Sequence, residues 1–147
     1  MRDRIRPPKD LELVLDQLKA DGVFDTKQKG MMFAAAIGFA LHPDRLALVE
    51  IDQYGEGIRL DYFRSPDDDG FIDALAVAVR SELAVMAPDR QPERVEIFEK
   101  YAALGLAEMK RACYDERPEY ALSGILSIID TLNRSTSEDL PGLANIL

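Results

Sequence analysis

A long uncharged segment near the N-terminus constrains the fold of this chain more than any other feature. Residues 24–29 carry a helix-start pattern with two lysines, and the 12 residues from Gly30 to Leu41 carry no charge. A helix that is apolar on every side has to be buried on every side. The sequence therefore predicts that this helix is the element around which the rest of the molecule packs.

Length and composition fit one domain that needs no covalent or metal support. A chain of 147 residues can bury most of its apolar surface in one core. The single cysteine, Cys113, has no partner for a disulfide, and together with the single histidine, His42, it cannot form a zinc site. We expect one domain over residues 1–147, with no metal and no cofactor.

The sequence contains neither a recognisable membrane span nor a secretion signal. Its longest uncharged apolar run covers 12 residues, whereas a transmembrane helix needs about 20. The basic start of the chain leads into a charged amphipathic stretch and not into the apolar core of a signal peptide. We therefore expect a protein of the bacterial cytoplasm that does not associate with membranes.

Helical spacing and helix-ending residues predict about five helices. The first covers about residues 9–21 and follows a flexible basic arm at residues 1–8. The second follows a capping box formed by Asp25 and Gln28 and ends near Leu41. Three small residues lie four apart on this second helix and predict close approach of another helix backbone: Gly30, Ala34 and Gly38.

Three further helices are predicted between the acidic run at residues 67–69 and the polar segment at residues 135–139. Proline suits the first turn of a helix, and Pro92 and Pro118 mark the expected starts of the last two. The apolar stripes expected for these three helices are, in chain order, Ile72, Leu75, Ala76, Val79, Leu83 and Met86; Val95, Phe98, Ala102, Leu106, Met109 and Cys113; and Leu122, Ile125, Ile129 and Leu132.

The stretch from Leu46 to Phe63 is the least helical part of the chain. Apolar and polar residues alternate over residues 58–63, which predicts one arm of a small β-hairpin. The other arm, residues 46–51, fits either a strand or one or two helical turns. A two-stranded hairpin is only marginally stable in isolation, so it has to pack against the helices or against another subunit. The predicted fold is mainly α, a compact bundle of about five helices with a small β-hairpin.

The residues that could perform catalysis have simpler structural interpretations. His42 follows the second helix, where an imidazole can cap backbone carbonyls, and Cys113 lies on an apolar stripe, as a core thiol does. We interpret the acids at residues 67–69 as the start of a helix and not as magnesium ligands. Known hydrolase, nucleotide-binding and metalloprotease motifs are absent. No catalytic residue is predicted, and we expect a protein that is not an enzyme.

Charge is distributed unevenly along the chain. The net charge of −9 argues against indiscriminate binding to nucleic acid, because that affinity comes mainly from neutralised phosphates. Residues 1–46 hold eight Lys or Arg against seven Asp or Glu, whereas residues 47–147 hold ten against twenty. Any contact with an anionic partner is therefore expected in the N-terminal part.

Basic residues of the N-terminal part form the candidate DNA-contacting set. The two lysines in the first turn of the second helix oppose the helix dipole, and unpaired backbone N–H groups beside them already form an anion site. The candidates are Arg2, Arg4, Arg6, Lys27 and Lys29. The alternative is a solvated arm with surface lysines that pair with Asp21 or Asp25, and the sequence leaves both interpretations open.

The chain ends in a short apolar tail, within residues 135–147. Apolar side chains at a terminus are either docked on the parent domain or used to bind a partner. The candidate partner-binding residues are Leu140, Leu143, Ile146 and Leu147.

Several stretches resemble the family called DNA phosphorothioation-associated protein 4. The likeness covers about residues 5–133, and its motifs are Phe24-Asp25-Thr26, Phe33-Ala34-Ala35-Ala36-Ile37-Gly38-Phe39, Gly55-Glu56-Gly57-Ile58-Arg59-Leu60 and Ile97-Phe98-Glu99-Lys100-Tyr101-Ala102-Ala103-Leu104-Gly105-Leu106. This resemblance implies a role in bacterial systems that replace a backbone phosphate oxygen of DNA by sulphur and use the mark in restriction and phage defence. It supplies no catalytic residue.

The expected function is that of a non-enzymatic accessory protein in a DNA phosphorothioation system, which contacts DNA or a larger modification or restriction component. The alternative is an adaptor or small transcriptional regulator that acts through protein contacts of its acidic helices. The expected partners are DNA and protein components of the system. The sequence leaves the oligomeric state open, and a dimer is compatible with it.

Overall fold

The computed structural model describes residues 1–63 and 70–139, and it confirms a mainly α fold with a small antiparallel sheet. Helical conformation accounts for 71% of these described residues. The elements are β1 (Arg4–Ile5), α1 (Lys9–Ala20), α2 (Lys27–Leu41), β2 (Ile58–Arg59), α3 (Phe71–Arg80), α4 (Gln91–Lys110) and α5 (Ala121–Asp139). Short 3-10 turns cover Leu46–Leu48, Leu60–Phe63, Leu83–Met86 and Pro88–Arg90, and a π-helical turn covers Arg111–Asp115.

The central helix is α4, and not α2 as the uncharged segment predicted. α4 packs against α1, α2 and α3, and its predicted apolar stripe is buried from Val95 to Cys113. On α2, by contrast, Ala36 and Ala40 are exposed to solvent. Alanine favours the helix and covers little surface, so an uncharged helix can present an alanine face to water at small cost.

Helices α2 and α4 approach each other closely because glycine stands on both sides of the contact. A Cβ atom on Gly38 would overlap the carbonyl oxygen of Tyr101, and one on Gly105 would overlap the carbonyl oxygen of Ala34. The predicted small-residue face of α2 is thereby confirmed at Ala34 and Gly38. Gly30 faces the side chain of Leu15 on α1 instead.

The small sheet joins two segments that are distant in the sequence. β2 pairs antiparallel with β1, with Arg4 opposite Arg59 and Ile5 opposite Ile58. The expected first arm, residues 46–51, is not its partner, because Leu46–Leu48 forms the helical turn of the alternative interpretation. The arm that was expected to be flexible is thus part of the fold, and the Ile5 side chain is fully buried.

Two predicted apolar stripes differ from the buried ones. α3 ends at Arg80, where Ser81 has a left-handed backbone, so Leu83 and Met86 are exposed and Val85 is buried instead. On α5, Ile125 is buried as predicted, whereas Leu122 and Ile129 are exposed and Ile128 is buried. Helical spacing fits both faces of α5, because the two stripes share Ile125.

The ends of α2 differ slightly from the prediction. The N-cap is Thr26, whose hydroxyl accepts a hydrogen bond of 3.2 Å from the backbone N–H of Lys29. The predicted capping box therefore begins one residue too early, at Asp25. His42 is the C-cap, as its position after the helix suggested, and its backbone N–H donates to the carbonyl of Gly38.

Replacing Gly38 by leucine should lower the free energy of unfolding by about 1–3 kcal/mol or more, because the added side chain overpacks the contact with α4. Urea and thermal unfolding measure this change. Ala36→Leu on the exposed face of the same helix is the matched control, and its melting temperature should stay within about 2 °C. An unchanged melting temperature for Gly38→Leu would contradict the close approach of the two helices.

Candidate nucleic-acid interface

A buried carboxylate holds the N-terminal arm in place. Glu99 of α4 has no exposure to solvent, and its Oε2 accepts hydrogen bonds of 2.7 Å from Nη2 of Arg2 and from the backbone N–H of Arg6. The guanidinium of Arg6 also lies 3.9 Å from the centre of the Tyr54 ring. A buried charge is tolerated only when it is paired and hydrogen-bonded. Arg2 and Arg6 are therefore engaged in contacts within the molecule, although both side chains remain partly exposed to solvent.

Gln91 at the start of α4 completes this attachment of the arm. Its Oε1 accepts from the backbone N–H of Arg2 at 2.9 Å, and its Nε2 donates to the carbonyl of Arg2 at 2.8 Å. Sequence reasoning missed both Gln91 and Glu99. A signal was present, because Glu99 lies four residues after the buried Val95 on one helix face, where a charge needs a partner.

The two lysines at the start of α2 form ion pairs at the surface. Lys29 lies 3.6 Å from Asp25, which is one of the pairings that the alternative interpretation named. The Nζ of Lys27 lies 3.0 Å from Oδ1 of Asp16 and 3.9 Å from Oε2 of Glu12. Pairs in contact with water are worth about 0–1 kcal/mol, so a competing anion can replace them.

Four cations surround a cavity of about 480 Å³ between the sheet, the end of α1 and the start of α2, which we name the basic groove. Its basic side chains are Arg4, Lys19, Lys27 and Arg59, and its other lining residues are Thr26, Gln28, Gly57, Ile58 and Tyr62. No carboxylate of the described residues belongs to this lining. The groove thus gathers four cations on a chain of net charge −9, and two of them, Lys27 and Arg59, are paired with carboxylates just outside its lining.

The sheet register brings two of these cations together. Arg4 and Arg59 are directly opposite each other in the antiparallel pair, an arrangement that is unfavourable for like charges. Arg59 is paired with Asp61 at 2.9 Å, whereas Arg4 and Lys19 form no ion pair with a described residue. An anion bound between the two arginines would relieve their mutual repulsion.

The start of α2 adds further positive potential to the groove. Thr26, Lys27 and Gln28 belong to its lining, and the first N–H groups of a helix carry the positive end of the helix dipole. A lysine at this position opposes the helix dipole by a few tenths of a kcal/mol, which the nearby carboxylates of Asp16 and Glu12 offset for Lys27. The sheet and the start of α2 therefore both contribute positive charge to the basic groove.

The structure divides the five predicted DNA-contacting residues among three places. Arg4 and Lys27 lie in the basic groove, Arg2 and Arg6 are attached to Glu99, and Lys29 is paired with Asp25 outside the groove lining. Two cations of the groove were not among the predicted residues: Lys19 and Arg59. Arg59 lies in one of the stretches that resemble the family, but no local pattern marks either residue as part of a groove, because only the tertiary fold brings them together.

Cys113 has the core environment that the sequence suggested, whereas the His42 imidazole contacts a carboxylate and not the backbone carbonyls that it was expected to cap. Nε2 of His42 lies 3.1 Å from Oε1 of Glu108. Burial opposes ionisation of Glu108, but hydrogen bonds from Arg111 and His42 outweigh it and lower the pKa of this carboxyl. Cys113 is buried, and burial raises the pKa of its thiol to about 11, which suits a core residue and not a nucleophile.

Within residues 1–63 and 70–139, no three His, Cys, Asp or Glu side chains converge on a common point where a metal ion could bind. The acids at residues 67–69 and the tail residues 140–147 lie outside the described residues. None of the described helices is long and apolar enough to cross a bilayer.

The fold and the groove define a small, mainly helical protein with a basic cavity on the surface of its described part. The family profile of the DNA sulphur modification system-associated protein 4 matches residues 4–143. The chain belongs to this family, which confirms the resemblance noted from its sequence motifs. Comparisons with curated proteins and with solved structures gave no match.

Replacing Glu99 by glutamine should lower the free energy of unfolding by about 2 kcal/mol. This is less than the roughly 3–5 kcal/mol typical of a broken buried pair, because Arg2 and Arg6 keep access to water. Denaturant unfolding measures the change, and Glu96→Gln on the exposed side of α4 is the matched control. Equal stability of the two variants would mean that the buried carboxylate does not secure the arm.

Proposed function

We propose that this protein is a non-enzymatic accessory component of a DNA sulphur-modification system, and that it contacts the DNA backbone through the basic groove. Membership of the family establishes the association with such a system. The observation that carries DNA contact is the convergence of four cations, with no carboxylate among the described lining residues, on an otherwise acidic chain. In this proposal the protein acts in the cytoplasm, in restriction and phage defence.

The chemistry of the groove suits a phosphate diester. Arginine offers a planar fork of donors that matches phosphate oxygens, and Arg4 and Arg59 stand opposite each other in the sheet. The positive start of α2 and the adjacent Lys27 favour the same charge. The ion pairs that now occupy Lys27 and Arg59 are exposed to solvent, so DNA can displace them at small cost.

The acidic remainder of the chain would restrict how DNA approaches. Residues 47–147 hold twice as many acidic as basic residues, so most of the surface outside the N-terminal part repels phosphate. Phosphate contacts fix register and orientation but carry no base information. The proposed binding is therefore modest in affinity, tolerant of sequence and steeply dependent on salt.

A variant with Arg4, Lys19, Lys27 and Arg59 changed to glutamine should bind duplex DNA more weakly at low salt. The slope of log affinity against log salt concentration should become shallower by about one unit per lost phosphate contact. Fluorescence anisotropy with a labelled duplex measures both quantities. The matched control changes four exposed cations outside the groove: Lys9, Lys110, Arg117 and Arg134.

The control variant loses the same number of positive charges from other parts of the surface. It therefore distinguishes an effect of the groove residues from an effect of the changed net charge. Equal loss of binding in both variants would contradict a specific role of the groove. Wild-type protein that fails to bind duplex at low salt would remove DNA contact altogether. A third variant, Lys29→Gln, tests the predicted residue that neither lines the groove nor holds the arm, because changes at Arg2 or Arg6 would also displace Arg4.

A second candidate function is that of an adaptor, and one observation favours it. The outer face of α5 and the turn before it expose Tyr120, Leu122, Leu126 and Ile129, and residues 120–129 carry no charge. Contiguous exposed apolar surface marks a site of protein interaction, and the centres of such sites are depleted of charge. The proposed partner-binding tail residues follow α5 in the sequence.

The double variant Leu122→Ser and Leu126→Ser should abolish co-purification of the main protein partner from the native host, while the melting temperature stays within a few degrees. Mass spectrometry of the purified complex identifies and quantifies that partner. Leu48→Ser with Leu83→Ser is the control, because it removes two exposed leucines elsewhere. Full recovery of the partner with the folded α5 variant would exclude this face as the docking site.

A further inference from the structure

We propose that a second groove of this protein binds an extended, positively charged peptide segment of a protein partner by strand addition. This groove has a volume of about 730 Å³ and is lined by residues 8–11 at the start of α1, by residues 49–53 and by Ala103 of α4. We name it the acidic groove. It shares no lining residue with the basic groove, so the two proposals are independent.

The wall of the acidic groove contains a stretch of unpaired backbone. Residues 53–60 run antiparallel to the N-terminal arm, and this pairing ends where the N–H of Lys9 donates to the carbonyl of Gln53 at 2.9 Å. Because α1 begins at Lys9, the arm offers no strand beyond that point. The backbone N–H and carbonyl groups of residues 50–52 form no hydrogen bond with another described residue. Such groups bind water or a partner, and an added strand satisfies them.

The side chains of residues 49–52 alternate as those of an extended segment do. Val49 has an extended backbone. Val49 and Ile51 are half-buried, whereas Glu50 and Asp52 are exposed. Both apolar side chains line the groove, and neither packs on the hydrophobic core of the described residues. On a paired strand, apolar residues would lie beside Val49 and Ile51, and the residues between them would lie beside the two carboxylates.

The charges of the acidic groove define the chemistry of the partner. Its lining holds three exposed carboxylates, Asp10, Glu50 and Asp52, against one cation of the described residues, Lys9, and none of the four forms an ion pair with a described residue. Opposite charges that face each other across a pair of strands are favourable. The matching segment therefore alternates Lys or Arg with apolar residues. The tail of a second copy does not match, because residues 140–147 contain no Lys or Arg.

The experiment measures binding of short synthetic peptides with capped ends by fluorescence anisotropy. A peptide of alternating lysine and valine should bind to the wild-type protein, and a peptide of alternating glutamate and valine should not. Two further peptides carry N-methyl groups on the backbone nitrogens of either every lysine or every valine. The N–H groups of alternate residues point to opposite edges of a strand. One methylated peptide should therefore bind about tenfold more weakly, while the other keeps its affinity.

Two double variants locate the binding site on the protein. Glu50→Gln with Asp52→Asn should weaken binding of the lysine–valine peptide about three- to tenfold, because two cross-strand charge pairs are lost. Asp89→Asn with Glu119→Gln is the matched control, since it removes two exposed carboxylates outside the groove, and it should keep the wild-type affinity. In NMR spectra of the wild-type protein, the peptide should shift the backbone amide signals of residues 50–52.

Other outcomes overturn the proposal in recognisable ways. An equal effect of methylation at lysine and at valine means that the peptide does not add as a strand. Equal weakening by the two double variants means that the peptide is attracted only by the net charge of the protein. Amide shifts confined to the outer face of α5 assign the peptide to that surface instead. Absence of binding of the lysine–valine peptide at low salt removes the proposal. None of these results bears on DNA contact at the basic groove.

Discussion

The placement of the N-terminal residues depends on one carboxylate that has no contact with water. Glu99 attracts two arginines of the arm and accepts the backbone N–H of Arg6. With the arm held, β1 can pair with β2, and their register sets Arg4 opposite Arg59. The positive groove at the surface is therefore organised by a negative charge in the interior. A buried charge of this kind stabilises little by itself, but it favours one arrangement of the groups that neutralise it.

Net charge is a poor guide to the surface of this protein. The chain as a whole is acidic, yet folding collects cations from β1, β2 and the ends of α1 and α2 around one cavity. The electrostatic field near such a cavity depends more on the local arrangement of charges than on the net charge of the protein. An acidic surround and a basic groove together would favour one orientation of an anionic partner, which a uniformly basic protein cannot do.

Local sequence patterns predicted what depends on neighbours along the chain. The bounds of α1 and α2 and the stripe of α4 follow from helical spacing, and they were predicted closely. The pairing of β1 with β2 was not predicted, because no local pattern indicates a strand partner that lies more than 50 residues away. Which face of α5 packs on the core was ambiguous for a different reason. Two faces of this helix have comparable apolar content, and both include Ile125. That Lys19 and Arg59 line the same groove became recognisable only from the tertiary fold.

The long-range attachment of the arm also has a consequence for biosynthesis. The hydrogen bond between Arg2 and Glu99 joins residues 97 positions apart. At a translation rate of about 5–20 residues per second, the arm emerges roughly 5–20 s before its binding site on α4 exists. During that interval Arg2 and Arg6 lack the carboxylate with which they pair in the folded protein. The arm is thus synthesised well before the helix that holds it, and it acquires its native contacts late.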